Sequence, residues 1–181
     1  GDRTHIQILV NPATWEEDLA SLEPGTVVIW NMDSKMPMER EDVISYPVPM
    51  TKIARKLNPK LARMIANVVY VGVLAELLGM DQEVLEAAIS KQFGGKAKAI
   101  ELNAEAARLG RAYCAEELTK SDAYAVESRE IEEGGFFIEG NEAIALGSIF
   151  GGIQMLGWYP ITPSSSVAEG IISWLPKLRT N

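Results

Sequence analysis

The stretch "WYPITPSSSVAEG" (158–170) sets one threonine in a rigid frame and puts three serines directly after it. Pro160 and Pro163 fix their own φ and push the residues before them, Tyr159 and Thr162, towards extended backbone. The Thr162 hydroxyl is therefore held in a stiff strand-exit loop and loses little entropy when something binds it. Ser164, Ser165 and Ser166 offer hydroxyls and N–H groups where an apolar helical pattern begins, which is where a helix best receives an anion. The chemistry this suits is binding of a carboxylate or a phosphate; a capped helix after a rigid turn is the plainer reading of the same residues. A second group gathers positive charge: Lys52, Arg55, Lys56, Lys60 and Arg63 within "TKIARKLNPKLAR" (51–63). Those side chains could take the phosphates of a small molecule, or simply form a solvated helix face.

The rest of the composition removes several other chemistries. The formal net charge is −8 over 181 residues, so no long-range attraction draws the chain to nucleic acid or to an anionic membrane. Its single cysteine, Cys114, and single histidine, His5, cannot form an internal disulfide, a zinc site or an iron–sulfur centre. Cys114 reads as a buried structural thiol and His5 as a solvated side chain near the chain start. The start "GDRTH" lacks the basic-then-apolar pattern of a signal peptide. The longest apolar run, 68–78, is broken by Gly72 and Glu76 and is too short to span a bilayer. A soluble, cytoplasmic protein is expected. The absence of an initial methionine, with a strand only a few residues in, suggests an excised piece of something longer.

Three short strands and several helices must position these groups. "HIQILVN" (5–11), "EPGTVVIW" (23–30) and "DVISYPV" (42–48) read as strands, with a short helix over 14–22 between the first two. Pro47 puts the third at an end or an edge. Strand, helix, strand with short connections predicts a parallel sheet of the α/β class. Asn58 and Pro59 should open a helix running over 61–78, closed by Gly79. Asp81 should cap "DQEVLEAAISKQF" (81–93), Gly94 and Gly95 should end it, and an alanine-rich helix should fill 96–117. Residues 118–135, "LTKSDAYAVESREIEEGG", are charged and poor in large apolar side chains, and so read as a linker. Beyond it come an expected strand, a turn and a small-residue helix. Gly147, Ser148, Gly151 and Gly152 on neighbouring turns would let that helix approach another backbone closely, within the domain or against a partner or ligand.

"EGNEAIALGSIFGGIQMLGWYPITPSSSVAEGI" (139–171) resembles the start of the pyrimidine-side domain in alpha subunits of 2-oxoacid:ferredoxin oxidoreductases, on a Gly-Asn-Glu-Ala helix start followed by a Tyr-Pro-Ile-Thr-Pro loop. "YPVPMTKIARKL" (46–57), "AELLGMD" (75–81) and "NAEAARLG" (103–110) resemble the gamma domain of the same enzymes. The order gamma, linker, alpha is that of the fused form common among members acting on 2-oxoglutarate. The resemblance implies an α/β fold in two parts. The C-terminal portion of a gamma-type domain would occupy 1–117, the linker 118–135, and the start of the thiamine-diphosphate-binding, pyrimidine-side domain 136–181. It implies oxidative decarboxylation of a 2-oxoacid, most simply 2-oxoglutarate, to an acyl-CoA and CO2, with electrons passed to ferredoxin. Thiamine diphosphate would be the cofactor and coenzyme A the co-substrate, with the iron–sulfur cluster and Mg in other subunits or domains. A beta subunit carrying the diphosphate site, ferredoxin and an oligomeric assembly would be the partners.

Carried onto this sequence, the resemblance makes Thr162 the group that hydrogen-bonds the 2-oxoacid carboxylate. Tyr159, Pro160, Ile161 and Pro163 would shape its loop, and Ser164 would support the helix start. Apart from the resemblance, Lys52, Arg55 and Arg63 of the basic cluster could receive coenzyme A phosphates, or be only solvated surface. The family's glycine-rich opening turn has no counterpart before His5, and its catalytic glutamate would fall beyond Asn181, since Glu142 and Glu169 do not match that motif. An internal fragment, inactive alone, is expected. The same residues leave open pyruvate, branched-chain or aryl 2-oxoacids, because the carboxylate is common to all of them. A non-catalytic module for coenzyme A binding or assembly is the alternative outside enzymology.

Overall fold

Three apolar runs become three parallel strands in the computed structural model, which describes residues 3–128, 135 and 137–179. They are β1 (Ile6–Leu9), β2 (Val27–Asn31) and β3 (Ile44–Val48), hydrogen-bonded in the order β1-β2-β3. Val27 lies level with Ile6 on one side and Ile44 on the other. β2 is central, and its Val27, Val28 and Ile29 are all buried, as expected of a parallel strand covered on both faces. Alternation divides them: Val27 and Ile29 join a core with Val69, Val73 and Ala106, while Val28 joins Leu9, Trp15 and Leu22 on the opposite face. β3, like β1, is an edge strand of the described sheet, and there the missing N–H of Pro47 is tolerated. This is the α/β class that the strand and helix pattern predicts.

The chain divides into two compact units, Gly1–Ser128 and Arg129–Asn181. In the first, α1 (Trp15–Ser21) covers one face of the sheet, and α2 (Met50–Leu57), α3 (Ala62–Leu77) and α5 (Ala97–Glu117) carry the core of the other. Helix α4 (Gln82–Phe93) begins at Asp81, whose carboxylate accepts from the amides of Glu83 at 2.7 Å and Val84 at 3.3 Å. Gly79 takes φ 68°, and the amide of Met80 reaches the Ala75 carbonyl at 2.8 Å. That closure satisfies the last carbonyls of α3. Asn58 differs from expectation: its side chain accepts from the amides of Lys60 and Leu61, capping a separate turn, and α3 begins only at Ala62. The residues before it form their own helix, α2.

Gly72 and Gly110 let α3 and α5 touch through their backbones. A Cβ at Gly72 would lie 1.9 Å from the carbonyl oxygen of Ala107, and one at Gly110 would lie 1.9 Å from that of Val69. The glycine that interrupts the long apolar run is thus a helix-crossing point. After α5, the stretch expected as linker is laid along the first unit as far as Val126. The Tyr46 hydroxyl donates to Asp122 at 2.6 Å and accepts from the Ser121 amide at 2.8 Å. Lys120 bonds the other Asp122 oxygen at 2.6 Å, Leu118 and Tyr124 pack against the core, and the Val126 amide bonds the Leu78 carbonyl.

In the second unit α6 (Gly140–Phe150) and α7 (Ser164–Leu178) pack through Ala145, Ile149 and Ile171. The strand expected ahead of α6 is not formed at residues 135 and 137–139; residue 136 lies outside the described residues. The segment before Thr162 is likewise irregular, so its loop is not a strand exit. Described residues of this unit supply no strand edge to pair with, and an isolated strand leaves its peptide groups unsatisfied. Within the described residues of the unit, the close approach is made by another glycine than Gly147, Gly151 or Gly152. A Cβ at Gly147 or Gly152 meets nothing within 4 Å, whereas one at Gly170 would be 2.8 Å from the Ala145 Cβ. Among the described residues no helix is long and apolar enough to cross a membrane.

Candidate functional site

Two places hold the sequence-derived candidates, one in each unit. In the second unit, Tyr159, Pro160, Ile161, Thr162 and Pro163 are all exposed, and the Thr162–Pro163 peptide is cis. No group among the described residues bonds the Thr162 hydroxyl, so it is available to a ligand. Ser164 is half-buried, and its hydroxyl donates to the Ile161 carbonyl at 2.8 Å, which ties the loop to the first turn of α7. Ser166 does the same towards the Pro163 carbonyl at 2.9 Å, and the Ser165 amide bonds the Ile161 carbonyl at 3.2 Å. The Ser164 and Ser166 hydroxyls are therefore committed to the backbone. Those two hydroxyls are turned to the loop rather than outward, and the Ser164 bond spans the junction of loop and helix. Trp158, Tyr159 and Ile161 present exposed apolar surface beside that hydroxyl. One hydrogen-bonding group in an apolar surround is suited to an anion attached to a flat or apolar body.

Of the two nearby carboxylates, one is engaged by a neighbouring helix. Glu142 accepts the indole N–H of Trp174 at 2.9 Å from the first turn of α6, where a negative charge is also favoured by the helix dipole. Glu169 stands exposed on α7. Asn141, which the sequence pattern marks only as part of a motif, donates to Ser166 Oγ at 2.7 Å and to the Pro163 carbonyl at 3.3 Å. Nothing in the spacing signals a bond across more than twenty residues; it requires the helix crossing.

In the first unit, a cleft of about 730 Å³ opens at the carboxyl ends of β1 and β2. Its lining includes Asn11, Asn31, Asp33, Thr51, Arg55 and Arg63. This is where parallel α/β sheets place ligands, and that rule, applied to β1 and β2, identifies Asn11, Asn31 and Asp33, which inspection for basic residues alone misses. Arg55, Lys60 and Arg63 share this cleft, while Lys52 and Lys56 line an adjoining depression with Arg55 and Asp33. Among the described residues none of these five cations is ion-paired. The Asp33 carboxylate accepts from the Lys52 amide at 2.7 Å, occupying the N-terminus of α2. A phosphate entering the cleft is thus left to the arginines rather than to the helix amides. Cys114 lies outside both places; burial pushes its thiol up to about 11, so it stays protonated and is no nucleophile.

Residues 1–113 match the family described as "Pyruvate ferredoxin/flavodoxin oxidoreductase", and the chain belongs to that family of oxidoreductases. The relatives it resembles are subunits of enzymes named for 2-oxoacids. The chain is 33% identical to 2-oxoacid:ferredoxin oxidoreductase 2, subunit alpha, of Aeropyrum pernix, over 66% of this chain and 17% of that one. It is 27% identical to 2-oxoglutarate oxidoreductase subunit KorA of Mycobacterium tuberculosis, over 92% of this chain and 30% of that one. Among solved structures it resembles a 2-oxoglutarate:ferredoxin oxidoreductase from Magnetococcus marinus, described with 2-oxoglutarate, coenzyme A and succinyl-CoA bound. That likeness has a TM-score of 0.84 at 31% identity and covers 98% of this chain and 31% of the other. The chain therefore spans less than a third of the length of these relatives. The family match falls within the first unit; the structural likeness extends to the unit that carries Thr162.

Proposed function

We propose that this chain is part of the alpha subunit of a 2-oxoacid:ferredoxin oxidoreductase with a fused gamma domain. Its first unit would be the gamma portion and its second the start of the pyrimidine-side domain. The observation that carries the proposal is the likeness over 98% of the chain to an enzyme that acts on 2-oxoglutarate. The reaction is oxidative decarboxylation of a 2-oxoacid, 2-oxoglutarate first among them, to an acyl-CoA with electrons passed to ferredoxin. Thiamine diphosphate, when bound, supplies the nucleophilic carbon for the 2-oxo group, and its diphosphate end, Mg and the iron–sulfur cluster belong to a beta subunit or other domains. The residues of this chain bind and orient. The Thr162 hydroxyl donates a hydrogen bond to the substrate carboxylate, which fits its exposure and its lack of a partner among the described residues. Tyr159 and Ile161 flank it with apolar surface, Pro160 and Pro163 stiffen the turn, and Ser164 anchors it.

Coenzyme A is the second ligand of this reading. Arg55, Lys60 and Arg63 in the cleft of the first unit take its phosphates, with Lys52 at the neighbouring rim. The donor set fits a phosphorylated ligand, as exposed guanidinium forks bind phosphate oxygens in pairs. The test is an anaerobic assay of the full-length protein with its partner subunit, following viologen reduction with a panel of 2-oxoacids. Reduction that requires both a 2-oxoacid and coenzyme A is the expected result, with 2-oxoglutarate the best substrate. A preference for pyruvate or a branched-chain acid would move the substrate within the family. A complex that holds no thiamine diphosphate and reduces no dye would reject the activity.

A further inference from the structure

The turn that bears Thr162 is tied to α7 by local bonds, but one polar side chain reaches it from the other helix. Asn141, second residue of α6 and half-buried, donates Nδ2–H to Ser166 Oγ at 2.7 Å and to the Pro163 carbonyl at 3.3 Å. Ser166 Oγ–H donates to that same carbonyl at 2.9 Å. The three groups close a ring of hydrogen bonds on the carbonyl of the residue that follows Thr162. Pro163 stands at the N-cap position of α7 and makes no side-chain capping bond of its own. Its ring already fixes one dihedral, so holding its carbonyl fixes the plane on the far side of the same residue. The crossing that brings Asn141 there is itself set by the fit of Ala145 against Gly170, where a Cβ would intrude to 2.8 Å.

We propose that Asn141 is a positioning residue for Thr162: it holds the Pro163 carbonyl, and through it the threonine hydroxyl, where the substrate carboxylate is received. The inference rests on the reading of Thr162 given above. Asn141 itself touches no substrate in this scheme. Small displacements of a positioned group are costly in catalysis, on the order of a hundredfold for 1 Å. One released tether on a loop with other local bonds should cost less.

The test uses the complete enzyme and its partner subunit in the viologen assay. Thr162→Ala is expected to lower kcat/KM for the 2-oxoacid by about ten- to a hundredfold, the loss of one charge-assisted hydrogen bond. Asn141→Ala should lower it about tenfold, through a raised KM for the 2-oxoacid with the KM for coenzyme A unchanged. The double variant should be no worse than Thr162→Ala alone, since a residue acting through another has nothing left to position. Asn141→Asp guards against a folding defect. It keeps the size of the side chain and can accept from the Ser166 hydroxyl, but withdraws the donor to Pro163. It should retain the wild-type melting temperature and still raise the 2-oxoacid KM. Wild-type kinetics in Asn141→Asp, a loss of equal size in the Thr162→Ala background, or a coenzyme A KM that rises in step would each overturn the inference. If Thr162→Ala alone is wild type, the reading of Thr162 falls and takes this inference with it. An impaired Thr162→Ala beside an unimpaired Asn141→Ala removes Asn141 only.

Discussion

At the scale of single residues, the first cleft is a competition between charges. Asp33 puts a carboxylate beside Arg55 and Lys52 in the depression that adjoins it, and it also stands in the cleft lining with Arg63. Asp33→Asn keeps an oxygen to accept from the Lys52 amide and removes the negative charge. Coenzyme A should therefore bind about two- to fivefold more tightly, on the order of 0.5–1 kcal/mol for a solvent-screened charge. Arg55→Ala and Arg63→Ala should each weaken it by roughly five- to thirtyfold, about 1–2 kcal/mol for a phosphate contact at an exposed site. Calorimetry with coenzyme A and its dephospho form checks both signs; titrations unmoved by the arginine changes would leave the cleft as solvated surface. The basic residues were legible in the sequence because charge of one sign stands out in an acidic chain. Asp33, Asn11 and Asn31 were not, because their meaning depends on lying at the carboxyl ends of neighbouring parallel strands. Thr162 was legible through its prolines, whereas the commitment of the Ser164 and Ser166 hydroxyls to nearby carbonyls emerges only from the geometry of the turn.

At the scale of elements, periodicity located all three strands and most of the helices. It failed where a neighbour is needed. The strand before α6 has the right residues and no edge among the described ones to pair with. Asn58 has the right chemistry for a helix cap, but a turn intervenes before Ala62. Glycines show the same division. Those expected to mark a close approach, Gly147 and Gly152, face open space, while Gly72 and Gly110 sit against opposing backbone. Gly147→Ala should leave stability unchanged or raise it by about 0.5–1 kcal/mol, the ordinary helix preference for alanine. Gly72→Ala and Gly110→Ala gain the same preference and lose more, because the intruding methyl group meets a carbonyl oxygen that cannot turn aside. Each should destabilise the first unit by roughly 2–4 kcal/mol, beyond the usual overpacking cost of a flexible site. Urea unfolding of the three variants would test the contrast, and equal midpoints would contradict the crossing.

At the scale of the whole molecule, acid should act on the bonds that join separate elements. Burial pushes the Asp122 carboxyl up, but the bonds from Lys120, Tyr46 and the Tyr124 amide outweigh it and hold the group below its ordinary value. Glu86, on the surface of α4, is held at about 2 by the Arg108 fork and by Gln82. Both carboxyls have folded-state values lower than their unfolded ones, so their contributions are complete above the ordinary carboxylate range. They are lost as pH falls through the folded values, for Glu86 between about 4.5 and about 2. Stability should therefore decline on the acid side of pH 5, and Tyr46→Phe should shrink that decline by removing one bond to Asp122. Denaturation midpoints measured from pH 7 to pH 2.5 give the comparison; identical slopes in the two proteins would mean that the Asp122 contact adds nothing. Gly72 and Gly110 add a mechanical consequence. Helices that meet through side chains alone can ratchet past one another by exchanging rotamers, whereas at Gly72 and Gly110 α3 and α5 meet peptide against peptide and have no such gearing. At that crossing the two helices are locked in register, so the α3 residues that line the cleft, Ala62, Arg63 and Ala66 among them, are held on a stiff support.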